Sequence, residues 1–140
     1  MSNHLNIADG IFESASDYHD VTFVFGATLE LTGDITVSGD WTYDGTFTPG
    51  THTVTFDGST AQSITGGTST IFHNLTINNS SAEITLNSSA IYTAVLGTLN
   101  FSQGVINVNS QSLDFGVGAL SLIQISEPTR LGMISYAVFC

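Results

Sequence analysis

Apolar and polar residues alternate in short runs along most of the first 119 residues. Residues 21–25, 53–56 and 75–77 are examples in which apolar side chains stand at positions i and i+2. This period of two is typical of a half-buried β-strand, and the β-branched threonines between the apolar positions favour the same structure. No stretch shows the 3.6-residue period of an amphipathic helix. The pattern therefore predicts an all-β fold without helix.

Turn signals separate these runs, which predicts strands of only about three to six residues. Alternation alone does not distinguish a parallel β-solenoid from an antiparallel β-sandwich. Asn and Thr are frequent enough at strand ends to stack in ladders, and no Cys–Trp–Cys trio of an immunoglobulin-like sandwich is present. Phe56 and Ile77 close similar units, as do Leu75 and Leu99, which indicates coils of about twenty-odd residues. A parallel solenoid is favoured, with the sandwich as the alternative.

The apolar positions of the alternating runs predict the interior of the coils. Each fully buried aliphatic or aromatic side chain contributes about 1.5–3 kcal/mol to stability. The predicted core consists of Val54, Phe56, Ile64, Leu75, Ile77, Ile84, Leu86, Leu99, Phe101, Ile106, Val108, Leu113 and Phe115.

Charge excludes several classes of function. The 140 residues carry one Lys or Arg against twelve Asp and Glu, and the formal net charge is -11. A chain with a single Lys or Arg neither neutralises nucleic-acid phosphates nor binds anionic membranes. No apolar run reaches the length of a membrane helix, and one Cys cannot form a disulfide scaffold. The sequence predicts a folded acidic domain with no nucleic-acid partner and no membrane partner.

Residues 120–140 differ in composition from the rest, because Arg130 and Cys140 are the only residues of their kinds. Residues 120–130 read LSLIQISEPTR. This resembles LSLIHISEPTR, the translation of a tagmentation sequencing adapter, with Gln124 as the single departure. Residues 134–140, ISYAVFC, resemble the fixed end of the same adapter. We expect residues 120–140 to be an adapter-derived tail and residues 1–119 to be a segment internal to a larger protein.

Residues 33–67, 70–89 and 97–116 resemble the repeats of large bacterial surface and secreted β-strand-repeat proteins. The first of these runs reads GDITVSGDWTYDGTFTPGTHTVTFDGSTAQSITGG. The resemblance implies a right-handed parallel β-helix of the kind found in adhesins, autotransporter passengers and cell-surface stalks, and right-handedness agrees with the crossover rule. It also implies an extracellular or cell-surface location. The expected partners are neighbouring coils of the same larger protein, with extracellular glycans as a further candidate.

Four carboxylates stand at turns, and no catalytic, cofactor-binding or metal site is predicted from them. Asp34, Asp40, Asp44 and Asp57 lie beside or near glycine, where they could ligate calcium or form the paired acids of a glycosidase. Turn capping is the favoured interpretation. The four histidines are His4, His19, His52 and His73. They have no zinc-ligand spacing, and His52 is expected to face solvent.

Two further patterns concern ligand binding. Trp41 and Tyr43 stand on one strand face, where they could stack on sugar rings, but packing with Phe47 is favoured. T-x-T units are formed by Thr51, Thr53 and Thr55, with Thr46 and Thr48. Such units can bind ice on a flat solenoid face, although here the unit does not recur from coil to coil. The fold also resembles pectate-lyase-like β-helix enzymes, whose chemistry relies on Arg or Lys that this chain lacks. We therefore expect a structural or adhesive segment rather than an enzyme. Part of a carbohydrate-active enzyme, or a glycan- or ice-binding module, is the alternative.

Overall fold

A computed structural model describes residues 4–8, 10–14, 16–87, 93–109, 113–115 and 121–122. Within these residues there is no helix, and short strands follow one another along the chain. The strands are β1 Leu5–Ile7, β2 Gly10–Ser14, β3 Asp17–Tyr18, β4 Val21–Phe23, β5 Ala27–Leu31, β6 Ile35–Val37, β7 Trp41–Tyr43, β8 Thr46–Thr48, β9 Thr53–Phe56, β10 Gln62–Gly66, β11 Thr70–Phe72, β12 Asn74–Leu86, β13 Thr93–Val95, β14 Thr98–Asn107, β15 Leu113–Phe115 and β16 Ser121–Leu122.

The strands stack in parallel on three faces of a β-solenoid. Face 1 contains β1, β4, β7 and β10, followed by the last residues of β12 and β14. Face 2 contains the separate sheets β2-β5-β8 and β11-β13-β15. Face 3 contains β3, β6 and β9, then the first residues of β12 and β14, and β16. Every strand pair among the described residues is parallel, so the parallel solenoid is confirmed and the antiparallel sandwich is wrong.

Successive coils align the residues that the sequence paired. Ile77 lies beside Phe56, and Leu99 lies beside Leu75. The coil length varies from 16 residues, between Leu5 and Val21, to 25 residues, between Asn78 and Gln103. The predicted coil of about twenty-odd residues is therefore confirmed, whereas the right-handed winding stays a prediction.

Two strands are longer than predicted because they continue around a corner of the solenoid. β12 has 13 residues and β14 has 10, against the expected three to six. β12 pairs with β9 through its first residues and with β10 through its last. The register between β12 and β14 shifts on both sides of Asn78, and such irregularity lets a strand bend without ending.

The predicted core is largely confirmed. Buried side chains from the predicted list are Val54, Phe56, Ile64, Leu75, Ile77, Ile84, Leu86, Leu99 and Ile106. Phe101 and Leu113 are partly buried against this core, and the side chain of Phe115 lies outside the described residues. The prediction that Val108 is buried is wrong: the residue follows the end of β14, outside the strand, and is 40% exposed.

The core also extends through the coils that precede the predicted list. Val21, Phe23, Leu29 and Ile35 are almost completely buried. A solenoid coil buries its apolar positions against the coils on either side, so each added coil extends one continuous core. Of the proposed tail at residues 120–140, only β16 is described, and it pairs with β14; the remaining tail residues lie outside the described part of the chain.

Candidate functional site

The turn carboxylates hold successive coils together. A side-chain oxygen (Oδ1) of Asp40 accepts a hydrogen bond from the backbone N–H of Ser63 at 2.8 Å. Asp44 accepts one from Gly67 at 2.6 Å. In each case the donor lies 23 residues later, on the next coil. The capping role predicted from sequence is therefore present, but these two carboxylates cap the neighbouring coil rather than their own turn.

Face 3 uses the same device with a carboxylate and an amide. Asp34 Oδ1 accepts the N–H of Thr53 at 2.8 Å, and Asn74 Oδ1 accepts the N–H of Thr98 at 2.9 Å. Both donors are first residues of face 3 strands, so the side chains fix where the next strand begins. Asp57 is exposed, and its own N–H donates to the Val37 carbonyl at 3.0 Å.

Two histidines meet around one carboxylate near the first coils. His4 Nδ1 lies 2.7 Å from Asp20 Oδ2, and His19 Nε2 lies 4.0 Å from Asp20 Oδ1. The two imidazole rings stand edge to face with centroids 5.4 Å apart, and His19 Nδ1 lies 3.0 Å from the Ser38 hydroxyl. Sequence spacing did not indicate this cluster, because its members come together only through coil stacking.

The other two histidines lie on the border of face 3. His52 is half-buried and its Nδ1 lies 3.8 Å from Asp34 Oδ1, so the expectation that it faces solvent is only partly right. The carbonyl of His73 accepts a hydrogen bond from the Gly97 N–H at 2.7 Å. Among the described residues no group of three or more His, Cys, Asp and Glu side chains is arranged to hold a metal ion.

Trp41 and Tyr43, the two side chains considered for sugar stacking, are inside the solenoid. Trp41 has no exposed surface and Tyr43 is 1% exposed. The Trp41 ring packs against Phe47 at a centroid distance of 5.0 Å and against Phe72 at 5.5 Å. The packing interpretation is confirmed. Within the described part of the chain, the Trp41 indole N–H and the Thr70 hydroxyl are buried without a hydrogen-bond partner.

Threonines form columns across the coils. On face 3, Thr36, Thr55 and Thr76 occupy one register position on successive coils, followed by Asn100. On face 1, Thr22, Thr42 and Thr65 do the same. The T-x-T unit itself does not recur, as the sequence indicated, because Thr53 and Thr55 are followed on the next coil by Asn74 and Thr76. What recurs is a single threonine per coil, in columns that variable coil lengths hide in the sequence.

Amide side chains also stack between coils, as the sequence indicated. Asn109 Nδ2 donates to Asn87 Oδ1 at 2.8 Å, and Gln103 Nε2 donates to Asn78 Oδ1 at 3.1 Å. These pairs lie at the surface. They provide hydrogen bonds along the stacking direction in addition to those of the backbone.

A buried amide pair at the corner between faces 3 and 1 escaped sequence reasoning. Gln62 is 2% exposed and Asn79 is 1% exposed, and Asn79 Nδ2 donates to Gln62 Oε1 at 2.9 Å. Gln62 Nε2 donates to the carbonyls of Val37 at 2.9 Å and Gly39 at 2.7 Å. Gln62 occupies an inward position of β10, two residues before Ile64. The sequence signal that could have indicated this pair is Gln62 itself, a polar residue at a position where the alternation requires an apolar one.

No helix in the described residues is long and apolar enough to cross a membrane. Comparison of the chain with protein-family models, with curated proteins and with solved structures finds no match.

Proposed function

We propose that this chain is a structural or adhesive segment of a large extracellular bacterial surface protein, without catalytic activity of its own. The main support is that polar side chains at the turns form hydrogen bonds from one coil to the next. Asp40, Asp44 and Asn74 each bind the backbone of the next coil, and the aromatic side chain of Trp41 is committed to the core. Hydrogen bonds of this kind add to the interface between neighbouring coils, on which the stability of a solenoid depends.

The enzyme alternative has less support. Glycoside hydrolysis needs two carboxyl groups facing each other across a substrate, with the pKa of one raised so that it donates a proton. Asp34, Asp40 and Asp44 instead accept hydrogen bonds from backbone N–H groups, and they do so at different turns. The only Lys or Arg of the chain, Arg130, belongs to the proposed tail.

The flanking coding sequence tests this proposal. Independent DNA reads from the source, prepared without the tagmentation adapter, should continue past residue 119 into further repeats and should lead upstream to an export signal. Reads that continue into SEPTRLGMISYAVFC would refute the adapter origin of the tail. A catalytic module built around facing carboxylates on adjoining coils would refute the stalk proposal in favour of the enzyme.

The purified chain provides a second test, on function itself. It should release no reducing sugar from a panel of neutral and acidic polysaccharides, with a known glycosidase as the positive control. Hydrolysis that is abolished by Asp34→Asn, Asp40→Asn or Asp44→Asn would contradict the proposal, because these substitutions keep the shape of the cap and remove only the carboxylate.

A further inference from the structure

We infer that face 3 is a binding surface for ice, formed by two columns of uncharged hydroxyl and amide side chains. The first column contains Thr53, Asn74 and Thr98, and the second contains Thr55, Thr76 and Asn100. The second column continues from Asp17 and Thr36 on the preceding coils. This inference does not depend on the proposed stalk function.

The two columns form a regular two-way lattice. Neighbouring strands of a sheet lie about 4.8 Å apart, and residues two apart on a strand lie about 6.6 Å apart on the same face. Thr53 and Thr55 therefore begin a rectangular array that Asn74 and Thr76 continue on the next coil. Oxygen atoms on the prism planes of ice also repeat in two perpendicular directions with spacings of this order. The match in repeat allows several side chains to contact lattice positions at once.

The side chains of the array are held in place before any ligand arrives. All six are half-buried, and Thr is restricted at its first side-chain torsion. Asn74 Nδ2 donates to the Thr51 carbonyl at 3.1 Å, while its Oδ1 accepts the Thr98 N–H at 2.9 Å. An ordered surface loses little conformational entropy when it binds, which a weakly interacting lattice of water requires.

The chemistry of face 3 favours water over other ligands. Its six array positions carry no charge, whereas on face 1 Thr42 stands between the exposed carboxylates of Asp40 and Asp44. The nearest carboxylates border the array: Asp34 Oδ1, on the preceding coil, accepts the Thr53 N–H at 2.8 Å, and Asp57 follows β9 at the corner. An array of hydroxyl, amide and methyl groups without an aromatic ring offers no stacking platform for a sugar.

Ice recrystallisation and crystal shape, observed with the purified full chain, test the inference. The wild-type chain should slow recrystallisation and facet growing crystals. Thr55→Tyr and Thr76→Tyr should each abolish both effects, because a bulky ring lifts the array off a flat lattice. Thr42→Tyr is the matched control, since it replaces the middle threonine of the face 1 column and should leave both effects intact.

Each outcome decides the inference. A wild-type chain without effect on ice refutes it, as does activity that survives both face 3 substitutions or is lost equally in Thr42→Tyr. Retention of the wild-type chain on insoluble chitin or cellulose without any effect on ice would refute it in favour of a glycan. Circular dichroism and thermal melting establish that each variant is folded. If a tyrosine variant unfolds, Thr76→Val replaces it. Full activity of Thr76→Val on ice would then refute a role for the hydroxyl array.

Discussion

Replacing Gln62 by alanine tests whether the buried amide corner holds the coils together. The side chain is 2% exposed and makes four hydrogen bonds within the described structure, two as donor and two as acceptor. Its Oε1 accepts the Gly58 N–H at 3.1 Å, and its Nε2 donates to the Gly39 carbonyl at 2.7 Å. Alanine removes both ends of the amide at once and leaves these backbone groups without that partner.

The other two partners retain alternatives. The Val37 carbonyl still accepts the Asp57 N–H at 3.0 Å, and Asn79 Nδ2 still donates to the Thr60 carbonyl at 2.6 Å. Two buried groups are therefore left unpaired, at about 1–3 kcal/mol each, so we expect Gln62→Ala to lower the free energy of unfolding by about 2–6 kcal/mol. The corresponding fall in melting temperature is roughly 8 °C or more.

Urea and thermal unfolding followed by circular dichroism provide the measurement. Gln103→Ala is the matched control, because Gln103 is an exposed amide that also bonds across coils, to Asn78 at 3.1 Å. We expect the control to change stability by no more than about 0.5 kcal/mol. Equal and small effects of the two substitutions would refute the reasoning, since they would show that the Gln62 hydrogen bonds are readily replaced by water.

Three further predictions concern the caps, the core and a close backbone approach. Asp40→Ala should lower the free energy of unfolding by about 0.5–2 kcal/mol, as the loss of a helix cap does, whereas Asp57→Ala should be nearly neutral. Chemical denaturation of both variants checks this, and equal losses would contradict the capping role of Asp40. The fluorescence of Trp41, the single Trp of the chain, should be blue-shifted and shielded from acrylamide, and emission typical of a hydrated indole would contradict its burial. Gly66→Ala should lower the free energy of unfolding by about 1–3 kcal/mol, and with it the melting temperature, because the added methyl group would meet the Tyr43 carbonyl. An unchanged melting temperature would show that the two coils are not so close.

The sequence by itself determined the fold class and most of the core. Alternation with a period of two assigns each residue to the inside or the outside of a strand, whatever strand lies beside it. Leu75 and Ile77 could therefore be placed inside before any coil was built. The same alternation also showed that Trp41 and Tyr43 share a face, and packing with Phe47 made the interior the better choice for them.

Only the tertiary structure decided which residues of different coils lie side by side. Coil length varies between 16 and 25 residues, so a constant sequence spacing does not identify neighbours. The alignment of Thr55 with Thr76 and the approach of His4 to Asp20 both depend on that variable register. The buried position of Asn79 depends on β12, which turns a corner without ending. Periodicity alone does not reveal this bend, because hydrogen bonding between coils, and not local preference, sets the path of the backbone there.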